Sequence, residues 1–302
     1  MRSRRAIPII FVAFLAGILP AVAALALPAQ DRFFKTSDGV RLHYLEAGPA
    51  NGRIIVLIPG WTMPAWIFDR QIADLSAQFH VIAFDPRSQG GSDIAASGHD
   101  HVRRGQDIAE LLARLGPDRV LLVGWSLGVL DTLAYVHAAG DSRIAGLVLI
   151  DNSIGEEPPP PAPKPQKPGA KLTWQQDMTR FVTSMFAKKP PQAWLDRLIA
   201  ACLKTPEPAA KALLAYPVPR SFWKEAVYST SKPVLYIVRP KFAGQAGNLA
   251  AHHPSAESVV LRDAGHALFV DDAPGFDRRL RDYIARRVWP SVPPSPARAN
   301  PG

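Results

Sequence analysis

Cysteine is nearly absent from the chain, and this limits both covalent cross-links and metal sites. Cys202 is the single cysteine among 302 residues, so no disulfide can form within the chain. No cluster of cysteine and histidine has the spacing that tetrahedral zinc sites require. We therefore expect the protein to hold no metal ion and no cofactor.

The chain also lacks a basic stripe with interleaved aromatic residues, a mark of many nucleic-acid-binding proteins. The formal net charge is +9, but part of it lies at Arg2, Arg4 and Arg5, outside any expected core. Charged residues make up 20% of the chain, too many for a polytopic membrane protein. We expect a small molecule as the partner and no nucleic acid, and no pattern indicates an oligomeric state.

One long apolar run is present, from Ile7 to Leu27, after the basic start at residues 1–5. A basic start, an apolar middle and a small-residue end are typical of a secretory signal peptide. The run is also close to the length of about 20 residues that spans a bilayer. A signal peptide over residues 1–26 is favoured over an uncleaved membrane anchor through residues 7–27 and over a helix in a cytosolic core. We expect an exported protein, periplasmic or secreted.

Beyond this segment, strand-like and helix-like patterns alternate. Continuous apolar runs at residues 54–58, 120–123 and 144–150 are typical of strands that are buried on both faces. Helical spacing separates them, for example over residues 127–139. Strands that alternate with helices predict an α/β protein with a mostly parallel sheet flanked by helices.

The alternation stops at Asp151 and resumes at residue 233. The stretch from Glu156 to Pro168 is rich in proline and lysine, which predicts an extended linker. Four helical patterns follow without a strand, and they predict a helical lid over the edge of the sheet. The predicted organisation is a signal or anchor (1–26), a first core part (27–151), a linker and helical lid (152–232), a second core part (233–289) and a disordered tail (290–302).

The sequence Gly124-Trp125-Ser126-Leu127-Gly128 lies between a strand pattern and a helix pattern. In that setting G-x-S-x-G forms a sharp strand-to-helix turn that presents a serine nucleophile. The helix that follows directs its first amides at developing negative charge. We therefore predict that Ser126 is the nucleophile and that the backbone amide of Leu127 belongs to an oxyanion hole.

A serine hydroxyl needs a general base, and His266 is the candidate. It follows the last predicted strand, residues 258–261, after a short loop. A chain order of nucleophile, acid and histidine is the one used in sheets of this kind. The other seven histidines lack such a setting, so His266 is predicted to take the proton of Ser126.

These motifs resemble those of the α/β-hydrolase superfamily over about residues 32–289. The matching stretches are Ile58-Pro59-Gly60-Trp61, Phe84-Asp85-Pro86-Arg87-Ser88-Gln89-Gly90-Gly91-Ser92, the turn around Ser126, and Gly265-His266 followed by Phe269-Val270-Asp271. The resemblance implies an eight-stranded, mainly parallel sheet, a lid after the sixth strand and an acyl-enzyme mechanism. It also implies that Trp61, the residue after Gly60, supplies the second oxyanion amide.

The acid of the catalytic triad departs from the pattern that the resemblance implies. In many relatives the loop after the seventh strand supplies it, but residues 239–248 contain no acidic residue. Asp151 ends the sixth predicted strand at the carboxyl edge of the sheet, where ligands of such sheets bind, and we predict that it is the acid. The alternatives are Asp263, three residues before His266, and a site in which a polar group or water substitutes for an acid.

These residues together predict an exported serine hydrolase that cleaves a carboxylic ester or lactone, with an apolar ester as the expected substrate. Most aromatic residues of the lid are expected to bury its helices, and a few, with Trp61 and Trp125, to line an apolar pocket. Ser126 argues against a dehalogenase or epoxide hydrolase, because those use a carboxylate nucleophile. Cleavage of amides or carbon–carbon bonds, perhydrolysis, and a non-catalytic ligand-binding role on the same fold are the alternatives.

Export is testable on the mature chain. Amino-terminal sequencing of protein from the envelope fraction should begin near Ala24 or Leu27, because signal peptidase cuts after small residues. A membrane-bound chain that keeps Met1 would favour the anchor, and full-length protein in the cytosol would contradict export.

Overall fold

The structure of the protein, a computed structural model, describes residues 28–161 and 172–290. The predicted signal or anchor, residues 162–171 of the proline-rich region, and residues 291–302 of the predicted tail lie outside the described residues. Within the described ranges, no helix is both long enough and apolar enough to cross a membrane.

A single eight-stranded sheet organises the described structure. Its strands are β1 (Gln30–Lys35), β2 (Arg41–Ala47), β3 (Ile54–Ile58), β4 (His80–Asp85), β5 (Val120–Trp125), β6 (Ile144–Ile150), β7 (Val234–Val238) and β8 (Ala256–Val260). Their spatial order is β1-β2-β4-β3-β5-β6-β7-β8. The pairs β1–β2 and β2–β4 are antiparallel, and all other neighbours are parallel. The prediction of a mostly parallel eight-stranded sheet is confirmed.

Helices cover both faces of this sheet. In chain order the described α-helices are α1 (Asp69–Leu75), α2 (His101–Arg114), α3 (Leu127–Ala139), α4 (Trp174–Ser184), α5 (Gln192–Cys202), α6 (Glu207–Ala212), α7 (Arg220–Ser229), α8 (Ala243–His252), α9 (Leu268–Asp271) and α10 (Ala273–Tyr283). Short 3-10 turns at Ala65–Phe68 and Pro240–Phe242 and a π-helical turn at Ile284–Val288 complete them.

Successive side chains of the central strands point to opposite faces and build two cores. On one face Val56 and Leu122 pack with side chains from α2, α3, α7 and α8. On the other face Ile55 and Leu121 pack with side chains from α1, α4, α5 and α10. Because both faces are covered by helices, the central strands are continuous apolar runs rather than alternating ones.

The helices α4 to α7, called here the helical insertion, connect β6 to β7. They divide between the two faces of the sheet, because α4 and α5 contribute to one core while α7 packs against α3 in the other. The insertion is therefore packed into both cores, and it also lies beside the carboxyl end of β6.

Two elements of the structure differ from what the sequence patterns predict. The patterns predict no strand at β1, because it is an edge strand in which Phe34 alone is buried and no apolar alternation results. The segment after β7, expected as a loop, is mostly the helix α8. Its glycines and asparagine lower helix propensity, but Ala246 and Leu249 pack into the core, and this burial outweighs propensity.

The beginning of the expected extended linker is held in place. Glu156 is buried, and its carboxylate accepts hydrogen bonds from Tyr228 Oη at 2.6 Å and from Lys224 Nζ at 2.9 Å. Both partners belong to α7, so the chain that leaves β6 is tied to the helical insertion. Composition favours an extended chain here, whereas pairing of a buried carboxylate gives these residues a fixed position.

Two helical glycines allow a matched test of the packing. A Cβ at Gly105 in α2 would lie 2.8 Å from the backbone nitrogen of Tyr135 in α3, whereas a Cβ at the exposed Gly247 in α8 would meet no atom within 4 Å. Gly105→Ala should lower the free energy of unfolding by about 1–3 kcal/mol, because it overpacks the α2–α3 contact. Gly247→Ala should raise it by about 0.5–1 kcal/mol through better helix propensity. Urea denaturation measures both, and equal effects of the two substitutions would contradict this packing.

Candidate active site

Ser126 stands on a sharp turn between β5 and α3. Its backbone has φ 54° and ψ −123°, a conformation that residues other than glycine rarely adopt. The turn requires the two flanking glycines, since a Cβ at Gly124 would lie 2.5 Å from the carbonyl oxygen of Gly128. A Cβ at Gly128 would lie 2.4 Å from the carbonyl oxygen of Ile58. The two flanking glycines therefore allow close packing around the turn, and the side chain of Ser126 is half-buried at the carboxyl edge of the sheet.

His266 reaches Ser126 from the loop that follows β8. Its Nε2 lies 2.8 Å from Ser126 Oγ. The indole of Trp125 donates a hydrogen bond to the carbonyl oxygen of His266 at 2.9 Å. This bond holds the loop against the end of β5. Trp125 is fully buried, so the expectation that it lines a substrate pocket is wrong, and its contact is with the histidine loop instead.

Asp151 follows β6 directly and completes a row of three side chains. Its Oδ2 lies 2.6 Å from Nδ1 of His266, and the carboxylate is buried. Its backbone has φ 50°, and its amide donates to the carbonyl oxygen of Ile237 in β7. The alternative acid Asp263 is exposed. The structure therefore brings Ser126, His266 and Asp151 together, in hydrogen-bond contact.

The charges around the row favour a neutral imidazole beside an ionised carboxylate. Burial lowers the pKa of His266, Asp151 partly offsets this effect, and the charges of Arg239 and Lys241 lower the pKa further. Burial alone would raise the pKa of Asp151, but the hydrogen bond from His266 and the charge and backbone amide of Arg239 hold it below its ordinary value. A neutral imidazole can accept a proton, and an ionised carboxylate can stabilise the imidazolium that results.

Arg239 is a site residue that sequence reasoning missed. It is the first residue after β7, and its Nε donates to Asp151 Oδ2 at 2.6 Å while its backbone amide donates to Asp151 Oδ1 at 2.9 Å. The available signal was its position, because it opens the loop in which the resemblance implies an acid. A basic residue there indicates a carboxylate nearby, contributed by another strand.

The backbone of Gly60, the residue before Trp61, lies against the serine. A Cβ on Gly60 would lie 2.9 Å from Cβ and 3.3 Å from Oγ of Ser126, so glycine is needed for this close approach. On the other side Leu127 is the first residue of α3, and the first amides of a helix have no acceptor within it. Leu127 is thus next to Ser126 in the chain, and Trp61 follows the glycine that approaches Ser126 in space.

The turn that carries Trp61 is held by a buried polar side chain. Gln89 donates to the carbonyl oxygens of Gly60 at 3.0 Å and Met63 at 2.8 Å, and its own oxygen accepts from Arg104 at 3.0 Å. The sequence motif around Gln89 indicates only family resemblance. The structure shows that this motif supports the backbone next to the serine.

The side chain of Trp61 connects the site to the helical insertion. Its indole donates to the carbonyl oxygen of Ala210 at 2.7 Å, and its ring meets those of Trp174 and Phe181 edge to face, at 5.9 Å and 5.1 Å between centroids. A cavity of about 580 Å³ lies beside these rings. Its wall combines apolar side chains with polar or charged ones, namely Trp61, Trp174, Phe181 and Leu214 with Asp177, Arg180, Ser184 and Lys211.

A second cavity, of about 310 Å³, is bordered by α3, α7 and the segment that follows β6. Its wall includes Leu130, one turn into α3, and Trp223 of α7. Asn152 also borders it, and the amide of this side chain donates to the carbonyl oxygen of Ser126 at 2.9 Å. In the described part of the chain, no three His, Cys, Asp or Glu side chains gather as metal ligands would.

The chain is similar in sequence to known proteins that share this architecture. A model of the alpha/beta hydrolase family matches residues 55–278. The chain belongs to this family. N-formylmaleamate deformylase of Pseudomonas putida is 30% identical over 272 residues, which cover 82% of this chain and 94% of the relative.

Two further proteins are similar over different shares of the chain. The non-heme chloroperoxidase of Streptomyces lividans is 35% identical over 116 residues, so the chain spans only 42% of that relative's length. An esterase from Rhodococcus sp. aligns in structure with a TM-score of 0.70 over 85% of this chain and 99% of its own, at 24% identity. That structural likeness shows the fold alone.

The pKa of His266 sets the pH at which Ser126 should become reactive. Because burial holds this pKa below the ordinary 6.5, the imidazole should stay neutral into mildly acidic solution. Labelling of Ser126 by a fluorophosphonate should therefore fall to half its maximal rate at a pH below about 6.5. The rate of label incorporation across pH measures this midpoint, and Ser126→Ala, which should take no label, is the control. A midpoint above pH 7 would contradict a buried neutral base.

Proposed function

We propose that the protein is an exported serine hydrolase that cleaves a carboxylic ester or lactone through an acyl-enzyme on Ser126. The observation that carries this proposal is the continuous row from Ser126 Oγ through His266 to Asp151, with contacts of 2.8 Å and 2.6 Å. Membership of the alpha/beta hydrolase family supports hydrolase chemistry in general.

In the first half-reaction, Ser126 Oγ forms a bond to the acyl carbon and its proton passes to Nε2 of His266. Negative charge develops on the carbonyl oxygen, and the amides of Trp61 and Leu127 stabilise it. His266 then gives the proton to the alcohol oxygen as the carbon–oxygen bond breaks. The acyl group stays on Ser126, and Asp151 holds the imidazole in the correct tautomer throughout.

In the second half-reaction, water adds to the acyl carbon while His266 takes one of its protons. The tetrahedral intermediate collapses, the bond to Ser126 Oγ breaks, and the same proton returns to the serine. The products are a carboxylic acid and free enzyme. For a lactone the acid and the alcohol are parts of one molecule.

The aromatic rings around Trp61 support a small apolar ester as the substrate. Aromatic rings stabilise an apolar acyl or alcohol group by burial, and few polar groups are needed to orient it. The similarity to a deformylase over 94% of that relative supports a second candidate, the cleavage of a formyl amide by the same serine. The two candidates differ in whether oxygen or nitrogen receives the proton from His266.

The proposal of export depends on the amino-terminal pattern. The basic start and the apolar run to Leu27 support a signal peptide over residues 1–26. The same run supports membrane attachment if it is retained.

A panel of substrates and a matched pair of aspartate variants test the reaction. Purified residues 27–302 should turn over short-chain esters or lactones, and Ser126→Ala should lower kcat by several orders of magnitude. Asp151→Asn should lower kcat by about 10²–10⁴-fold, because the imidazole loses its orienting carboxylate. Asp263→Asn, an exposed aspartate in the loop before His266, should leave kcat unchanged.

Each outcome separates the alternatives. Turnover of formamides with no turnover of esters would favour the deformylase reaction. Near-wild-type activity of Ser126→Ala would sink the acyl-enzyme mechanism. A large loss in Asp263→Asn, with none in Asp151→Asn, would transfer the role of acid.

A further inference from the structure

The carboxylate of Asp151 has two charged neighbours rather than one. Its Oδ2 accepts from Nδ1 of His266 and from Nε of Arg239, both at 2.6 Å, and its Oδ1 accepts from the backbone amide of Arg239 at 2.9 Å. The carboxylate side chain is fully buried, while that of Arg239 is 26% exposed. The buried negative charge of Asp151 therefore interacts with both an arginine and an imidazole.

Arg239 also touches the imidazole itself. Its Nη2 lies 3.3 Å from Nδ1 of His266. Because Nδ1 donates its hydrogen to Asp151, both nitrogens of this contact carry hydrogen, and neither accepts from the other. The contact thus brings a permanent positive charge next to the ring that must become positive during the proposed reaction.

We propose that Arg239 is a positioning residue that shares the carboxylate of Asp151 with His266 and sets the pH range in which the site works. This inference rests on the proposed function, since it assigns a role within the same hydrolytic site. Its first part is geometric. The backbone amide and the guanidinium of Arg239 fix both carboxylate oxygens, so the oxygen that faces His266 cannot rotate away.

The second part is electrostatic. A cation beside His266 disfavours the imidazolium, and competition for Asp151 Oδ2 weakens the bond that would stabilise it. The charged groups that act on the ring are Asp151 at the end of β6, Arg239 after β7, and Lys241 two residues further on. Asp151 raises the pKa of His266, and the two basic residues lower it. The base therefore stays neutral at lower pH, at the expense of basic strength.

The position of Arg239 in the chain is compatible with an acid that comes from β6. It opens the segment after β7, where the family resemblance implies an acid, while Asp151 comes from the neighbouring strand β6. A basic residue at that position adds a donor to the displaced carboxylate. The first residue after β7 thus still contributes to the triad, because Arg239 donates to the carboxylate of Asp151.

The test is the pH profile of kcat/KM for Arg239→Gln on an ester that the wild-type enzyme turns over. Removing the cation should move the acid limb to higher pH by about one unit, because the imidazolium is then stabilised by Asp151 without competition. Arg239→Lys, which keeps the charge, should stay closer to the wild-type profile. Arg286→Gln is the matched control, since Arg286 pairs with Glu257 at the start of β8, the opposite edge of the sheet, and should leave the acid limb in place.

A second measurement does not depend on turnover. Titration of the His266 ring signal by NMR, assigned by its loss in His266→Gln, should give a higher pKa in Arg239→Gln than in wild type. An unchanged or lower pKa in a folded Arg239→Gln protein would overturn the inference. If Ser126→Ala keeps its activity, the proposed function fails. If Ser126→Ala is inactive and the acid limb of Arg239→Gln does not move, only the role of Arg239 fails.

Discussion

Parallel pairing of β3, β5, β6, β7 and β8 is the constraint on which the rest of the site depends. Parallel strands end at the same edge of a sheet, so the residue that follows each strand lies beside those that follow its neighbours. Ser126 follows β5, Asp151 follows β6, Arg239 follows β7, and the loop with His266 follows β8. Residues separated by 140 positions thereby come within hydrogen-bond distance. Each strand contributes one group, and the register between strands sets the distances.

The groups at this edge stabilise one another because burial leaves them few other partners. A buried carboxylate such as that of Asp151 is costly unless donors surround it, and here an imidazole, a guanidinium and a backbone amide do so. Gln89 plays the equivalent part for the backbone carbonyls next to Trp61. Polar residues that are remote in sequence thus fix the geometry around Ser126, and their loss would disturb the site without touching a substrate.

The sheet and the helical insertion have separate relations to the site. The sheet carries the row of Ser126, His266 and Asp151, a set of side chains that serves acyl transfer in general. The insertion supplies the walls around Trp61 and the partner of its indole, Ala210. Under the proposed function, the insertion therefore contributes to the surroundings of the substrate, whereas the strand ends contribute the reacting groups.

Local patterns in the chain were enough to predict the α/β class, the parallel sheet and the turn at Ser126, because buried strands and glycine-flanked turns have strong short-range signatures. The edge strand β1 and the helix α8 escaped prediction because one has little burial and the other depends on tertiary packing rather than propensity. Asp151 was predicted by its place at a strand end, but whether its carboxylate faced His266 depended on the register between β6, β7 and β8. Arg239 and the true surroundings of Trp125 appeared only in three dimensions, since hydrogen bonds between residues about 90 or 140 positions apart leave no local trace in a single sequence.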